Sequence, residues 1–544
     1  MADLNKLTEQ PTSAALAVAL VFAASYLILF NYELIGGVIA ALSFSYIIFW
    51  LYCSVKRNSY IPIVNIAFLF VIYSPYINYA KEIDGVRHFG SAYGIDFQQY
   101  LSVLWSLITQ GVPFKNPYLP SESSVYHYGF MMPLAALLRI SGGTNFYGFF
   151  DFSNYLFTYQ VVTSFIFLQF VANYFFGSTP RRWFFAMALM FIFSSYKWLY
   201  SGLILFFASS SGNFDTQFGF KTPANDFLFG SHYVFSMLLV LYIFWYLSNA
   251  ERLITKSQRY FGVATSSIAA FSLPVINVFS LLVIFAVYFS NSLSAIFITK
   301  SIRTSITIAI STCYIPVFAY LGYLVLISPA TNQSSAYFSF SISSVPLLTL
   351  SLIVNFIPLI YFFLKSKDFR NRSWMSALIS VLLLLFIISI FRVSNGVDSD
   401  DSFNVSRRLG TSIGWLMLIV SDMNIMLSAA KWFIYPAALT FFAQYAAFHV
   451  VDFRYDSRNE KVASKLFNAR VPYSFDKKAW DETKRVSFNF DIMIGHASCG
   501  TPSSQGAFRY TPNLKADKYD IPVNKCSQPN SKEIGFTDKY FTLN

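Results

Sequence analysis

Charge is what this chain has least of. Only 12% of its 544 residues are Asp, Glu, Lys or Arg, while 55% are hydrophobic; a soluble domain carries about twice that share of charge. The balance excludes a set of ordinary soluble domains and makes the bilayer the expected solvent. Cysteine and histidine are scarce too, at four and five residues, which rules out a disulfide-built scaffold. No segment offers a His, Asp and Glu cluster with ligand spacing, so a divalent metal is not expected. The C-terminal 451–544 holds no P-loop, dinucleotide fingerprint or nucleophile elbow, and the chain shows no repeat of solenoid period. The net charge of +12 comes with no basic face, RNP-like pattern or zinc spacing, so nucleic acid is not an expected partner.

What is present is a succession of apolar runs between Ser13 and Val450, many of them near the ~20 residues that cross a ~30 Å hydrocarbon core. They predict an all-α polytopic membrane protein with about 11 to 13 spanning helices. The leader MADLNKLTEQ lacks a cleavage pattern, so the first run reads as a retained helix. Basic residues gather in short loops: Lys56 and Arg57, Arg181 and Arg182, Arg252 with Lys256 and Arg259, Lys300 with Arg303, and Lys365 to Arg372. The positive-inside rule assigns these loops to the cytoplasm. By alternation, Lys81 to Tyr128, Ser209 to Ser231, Ser328 to Ser344 and Arg392 to Thr411 lie outside. If 411–428 and 432–450 form a hairpin turning at Lys431, then 451–544 emerges outside as well. The expected location is a bacterial inner membrane with the periplasm beyond it.

That tail, 451–544, reads as a small mixed α/β domain, because charge density rises and strand-like pieces such as RVSFNFDIMI alternate with turn residues. It suits a lid or a partner-docking module, and His496 reads as a loop residue. Cys499 and Cys526 are the only cysteines in it and are expected to form one disulfide in an oxidising compartment. Cys53 and Cys313 sit in apolar runs and read as packing residues.

The first outer segment is the polar passage that most needs a reason. Phe97, Tyr100, Leu101, Leu104, Trp105 and Ile108 share one face at helical spacing, with Gln98, Gln99, Ser102, Ser106 and Thr109 on the other. This predicts an interfacial helix over 97–110, ended by Gly111 and Pro113. YHYGFMMPLAALLRISGG follows, with an apolar centre too short to span, interrupted by Pro133 and closed by Gly142 and Gly143. Were it to cross, Arg181 and Arg182 would fall outside, so it is expected to lie at the interface or re-enter from the outer side.

Asp96 with Tyr100 at the head of an amphipathic helix, the QGVPFKNPY turn and the aromatic YHYGFMMPLAALLRISG segment resemble the first outer loop of the C-type (GT-C) glycosyltransferases. These polytopic enzymes move a sugar from a polyprenyl-phosphate carrier to an acceptor outside the cytosol. The resemblance covers roughly residues 60 to 180. Many members carry two adjacent acids where this chain has Asp96 and then Phe97. The family implies a carboxylate base for the acceptor hydroxyl and inversion at the anomeric carbon. Asp96 is the first candidate and Asp84 the second. A structural role competes for each: Asp96 can cap its helix with Gln99 as the reciprocal partner, and Asp84 can sit in a solvated loop.

The resemblance also implies cationic partners for the leaving polyprenyl phosphate, for which Arg407, Arg408 and Lys221 are candidates. Pairing of the two arginines with Asp398, Asp400 and Asp401 is the competing role. His127 between Tyr126 and Tyr128 suits acceptor or sugar binding, or else an aromatic belt at the interface; His88 is a weaker candidate. Asp226 and His232, with Asp215, can line the same cavity from the second outer loop. Lys197, Asp151 and Asp422 are isolated ionisable residues in apolar surroundings. The donor expected is a lipid-linked sugar with no further cofactor, and the acceptor a glycan, glycolipid or protein. Two other readings stay open: an O-antigen polymerase or ligase, and a transporter or non-catalytic subunit of a membrane complex.

Overall fold

The computed structural model describes residues 11–77, 80–83, 86–89, 128–141, 149–176, 179–187 and 231–249, most of 100–123 and of 260–269, strands at 337–340, 391–394, 399–400, 534–537 and 540–543, and a few single positions. Its helices are α1 (Pro11–Leu29), α2 (Glu33–Arg57), α3 (Tyr60–Ile77), α4 (Met132–Ile140), α5 (Phe149–Tyr174) and α6 (Ser231–Asn249). Three stretches are long and apolar enough to cross a membrane: Pro11–Leu29, Glu33–Arg57 and Tyr155–Tyr174. The N-terminal part is therefore a helical membrane protein, as its composition requires.

α1 and α2 form an antiparallel hairpin. Asn31 takes a positive φ of 72°, and the N–H groups of Asn31 and Tyr32 donate to the carbonyls of Ile28 (3.1 Å) and Leu27 (2.8 Å). This is a Schellman closure with Asn in the left-handed position usually held by glycine. Gly36 lets the helices approach: a Cβ there would lie 2.7 Å from Ile28 Cγ1 and 2.8 Å from the Ala24 carbonyl, the small-residue contact that membrane helices favour. α1 is largely buried, whereas α2 leaves Leu34, Val38, Leu42 and Ile48 exposed among the described residues.

At the other end of the bundle, polar side chains tie four helical segments together. The Asn65 amide on α3 donates to Gln169 Oε1 on α5 (2.9 Å), and the Trp183 indole N–H, in helical 180–187, donates to Asn65 Oδ1 (2.6 Å). Gln169 and Asn173 both donate to the Ser54 hydroxyl on α2, and Trp50 donates to the Tyr174 hydroxyl (2.8 Å). Asn65, Gln169 and Trp183 are fully buried; in hydrocarbon such groups stay only if they find one another. The network also gathers the ends bearing Lys56–Arg57 and Arg181–Arg182, so both basic clusters lie at one end, as the charge rule required. A cavity of about 10 Å³ among Ala14, Val18, Ile47, Trp50, Ile166, Phe170 and Leu238 is apolar and too small to hold a ligand.

Beyond the helices, β1 (Ala80–Ile83) pairs antiparallel with β2 (Val86–Phe89), and β3 (Lys115–Asn116) with β4 (Leu119–Ser123). β5 (Tyr337–Phe340), β6 (Phe391–Ser394) and β7 (Ser399–Asp400) form one antiparallel sheet. β5 and β6 thus join two strands some fifty residues apart in the sequence. β8 (Ile534–Thr537) and β9 (Tyr540–Leu543) make a hairpin near the C-terminus.

Candidate functional site

The end of the bundle opposite the basic clusters is built around one carbonyl. The Schellman turn leaves the Leu29 oxygen free of helix partners, and two distant residues supply them. The Val112 N–H donates to it (3.2 Å), and Arg139 Nη1 donates at 3.4 Å. Arg139 also donates through Nη2 to Asn31 Oδ1 (2.5 Å) and meets Glu33 Oε1 through Nε (3.4 Å). A cation thus faces the C-terminus of α1, while an anion sits in the first turn of α2, and both complement the helix dipoles. Sequence reading did not single out Arg139. No local pattern could have done so, because its partners lie more than a hundred positions away.

Two short helical pieces rise to this rim side by side. Positions 100, 103–104, 106–108 and 110 are helical, and the run ends at Gly111, which has φ 74° and accepts the capping role expected of it. The Tyr100 ring meets Phe130 edge to face at 5.1 Å, while at the other end Gly111 lies beside Leu29 and the Arg139 guanidinium. Leu104 and Ile108 are buried as the apolar stripe predicts. Val103, Leu107 and Ser106 are buried as well, so more of this helix is covered than the stripe alone. Its partner, the 3₁₀ turn Gly129–Met131 followed by α4, is far too short to cross: nine residues rise about 14 Å against a ~30 Å core. Pro133 stands at the start of α4 instead of interrupting it, because a proline in the first turn forfeits no helix bond.

The lower ends of these pieces meet the spanning helices. The Tyr159 hydroxyl on α5 donates to the Phe130 carbonyl (2.6 Å), the Tyr159 ring meets Phe235 of α6 at 5.9 Å, and Phe235 meets Phe22 of α1 at 5.0 Å. Phe22 lies about two turns below Leu29. The chain therefore dips beside α1 at Gly129–Met131 and returns to the rim at Arg139. Tyr128 enters the dip only 5% exposed, stacked on Phe114 at 4.6 Å.

Of the residues proposed for chemistry, Tyr128 packs into this floor, and His232 is the second residue of α6, one turn before Phe235. Asp84, Asp96, Tyr126, His127, Asp226, Lys221, Arg407, Arg408, Cys499 and Cys526 lie outside the described residues. Among the described residues no group of three or more His, Cys, Asp or Glu could hold a metal ion. Cys53 is a half-buried free thiol, and Asp151 falls in the first turn of α5, where an acid complements the dipole.

Fold and rim together define a helical integral membrane protein. Comparison with family models, curated proteins and solved structures finds no match to this chain.

Proposed function

We propose that the chain is a membrane glycosyltransferase of the C type, moving a sugar from a polyprenyl-phosphate carrier to an acceptor on the side opposite the basic clusters. One observation carries the reading. The described part of the first outer segment packs against the bundle, with Tyr100, Phe130, Tyr159 and Phe235 of α6 converging below the rim. A connector between two spans has no use for such a floor. Asp96 precedes Tyr100 by four residues, and Tyr126 and His127 directly precede Tyr128, so in sequence the candidate base and the candidate sugar-binding residues adjoin residues of this floor.

In this mechanism Asp96 accepts the proton of the acceptor hydroxyl while its oxygen attacks the anomeric carbon. The bond to the carrier phosphate breaks on the opposite face, and the configuration inverts. Charge appears on the departing phosphate, where Arg407, Arg408 and Lys221 supply guanidinium and ammonium donors.

Asp96→Asn separates this role from helix capping. Asn caps a helix as well as Asp does, but it cannot take a proton. Purified Asp96→Asn protein, given a polyprenyl-phosphate sugar and an acceptor extract, is expected to lose on the order of 10²- to 10⁴-fold in transfer rate with its thermal stability kept. Near-normal transfer by this variant would remove Asp96 from the chemistry. Absence of transfer by the unaltered protein across donors would remove the glycosyltransferase reading itself.

A further inference from the structure

α2 buries one narrow stripe and leaves the opposite side open. Its buried residues are Gly36, Ser43, Ile47, Trp50 and Ser54, which fall within about 60° of arc at ~100° per residue. Opposite them Leu34, Ile35, Val38, Ala41, Leu42, Phe44, Ser45 and Ile48 are all exposed, over about 180° of the circumference. Only Ser45 among these is polar, and a helical serine can return its hydroxyl to the backbone of the preceding turn. A single partner helix covers a stripe, not half a circumference.

Aromatic residues close this open face at both ends. At the rim the exposed rings of Tyr26, Phe30 and Tyr32 stack in series, with centroids 6.1 and 5.9 Å apart. At the far end Tyr52 is exposed, as is Tyr60 at the start of α3, and the exposed Lys56 and Arg57 lie between them in the chain. Tyr32 and Tyr52 stand twenty positions apart, a helical rise of about 30 Å. That is the thickness of a ~30 Å hydrocarbon core.

We propose that the open face of α2 is a lipid-facing wall whose aromatic ends fix the depth of the protein in the bilayer. Tyr26, Phe30 and Tyr32 lie in one headgroup layer and Tyr52 and Tyr60 in the other, where amphipathic rings are favoured. Leu42, midway between Tyr32 and Tyr52 and 68% exposed, lies at the bilayer centre. The occupant of the face is acyl chain, against which exposed Leu, Ile, Val and Phe need no further cover, and not a second copy of the chain or another subunit. Lys56 and Arg57 follow Tyr52 by about one turn, so their long side chains reach the phosphate level and favour anionic headgroups at that end.

The test uses the full chain in phosphatidylcholine and phosphatidylglycerol vesicles, with an environment-sensitive fluorescent amino acid inserted singly at position 35, 42, 48 or 52. All four positions are exposed, so the probe displaces no packed side chain, and one poorly folded variant leaves the depth profile of the others readable. Lipids brominated near the acyl terminus are expected to quench the probe most at 42, less at 35 and 48, and least at 52. Lipids brominated close to the headgroup are expected to reverse that order, and aqueous iodide to spare 42. Deepest quenching at 35 or 48 overturns the assigned depth. Quenching at 42 by neither agent overturns the proposal and assigns the face to a second copy or another subunit; quenching there by iodide overturns it and assigns the face to water.

Discussion

At the scale of single residues, the outer rim depends on Arg139 and Gly111. Arg139 contacts Leu29, Asn31 and Glu33 while only 19% exposed, so Arg139→Ala strips partners from a backbone carbonyl and leaves a carboxylate without its cation. A loss of about 1–3 kcal/mol is expected, read as a lower midpoint in denaturant unfolding from mild detergent. Arg139→Lys is expected to recover little of it, because an ammonium cannot reproduce the planar fork. Gly111→Ala meets two obstacles, the φ of 74° and the Leu29 carbonyl in the path of a Cβ. It should cost more than the ~1 kcal/mol typical of left-handed strain alone and lower the same midpoint. The helix end at Gly111 could be read in advance, since glycine followed closely by proline is a local signal. The clasp of Arg139 could not, because nothing near 139 announces Asn31 or Glu33.

At the scale of elements, the polar network shows what periodicity leaves unread. Asn65 and Gln169 are visible in the sequence as polar residues inside apolar stretches, yet their pairing to each other and to Trp183 exists only in the assembled bundle. Asn65→Leu is expected to leave the Trp183 indole N–H and the Gln169 Oε1 without Asn65 as partner, at a cost of about 0.6–2 kcal/mol per lost interhelical bond. The double substitution Asn65→Leu with Gln169→Leu should cost less than the sum of the single ones, which a double-mutant cycle in detergent would measure. Length and charge parity placed 129–140 either at the interface or in a re-entrant course, and its nine-residue helix is indeed too short to cross. The burial of Ser106 was not legible, because an amphipathic stripe reports only one face and says nothing of what covers the other.

For the molecule as a whole, two ends are defined. One gathers Lys56–Arg57 and Arg181–Arg182 through the Ser54, Asn65, Gln169 and Trp183 network; the other carries the Leu29–Arg139 rim. A membrane-impermeant thiol reagent added to intact cells is expected to label Ser123→Cys and to spare Ser59→Cys until the membrane is opened. The opposite result would invert the topology and move the proposed chemistry to the cytoplasm. Helical membrane class and the common side of the two basic loops were readable from hydropathy and charge. Relations between loops distant in sequence, such as the pairing of Tyr337–Phe340 with Phe391–Ser394, were not, because hydropathy assigns a segment to a side and names no neighbour on that side.

The open carbonyl at Leu29 sets an order of assembly. The α1–α2 hairpin can close as soon as it is made, since its turn uses only residues 27 to 32. Its last acceptor must then wait, in the wet headgroup layer, for Val112 and finally Arg139 to be synthesised. Until then water occupies that place. The rim is therefore a late joint on an early hairpin, and a nascent chain released before residue 139 would hold its first helices inserted with their outer end still unfastened.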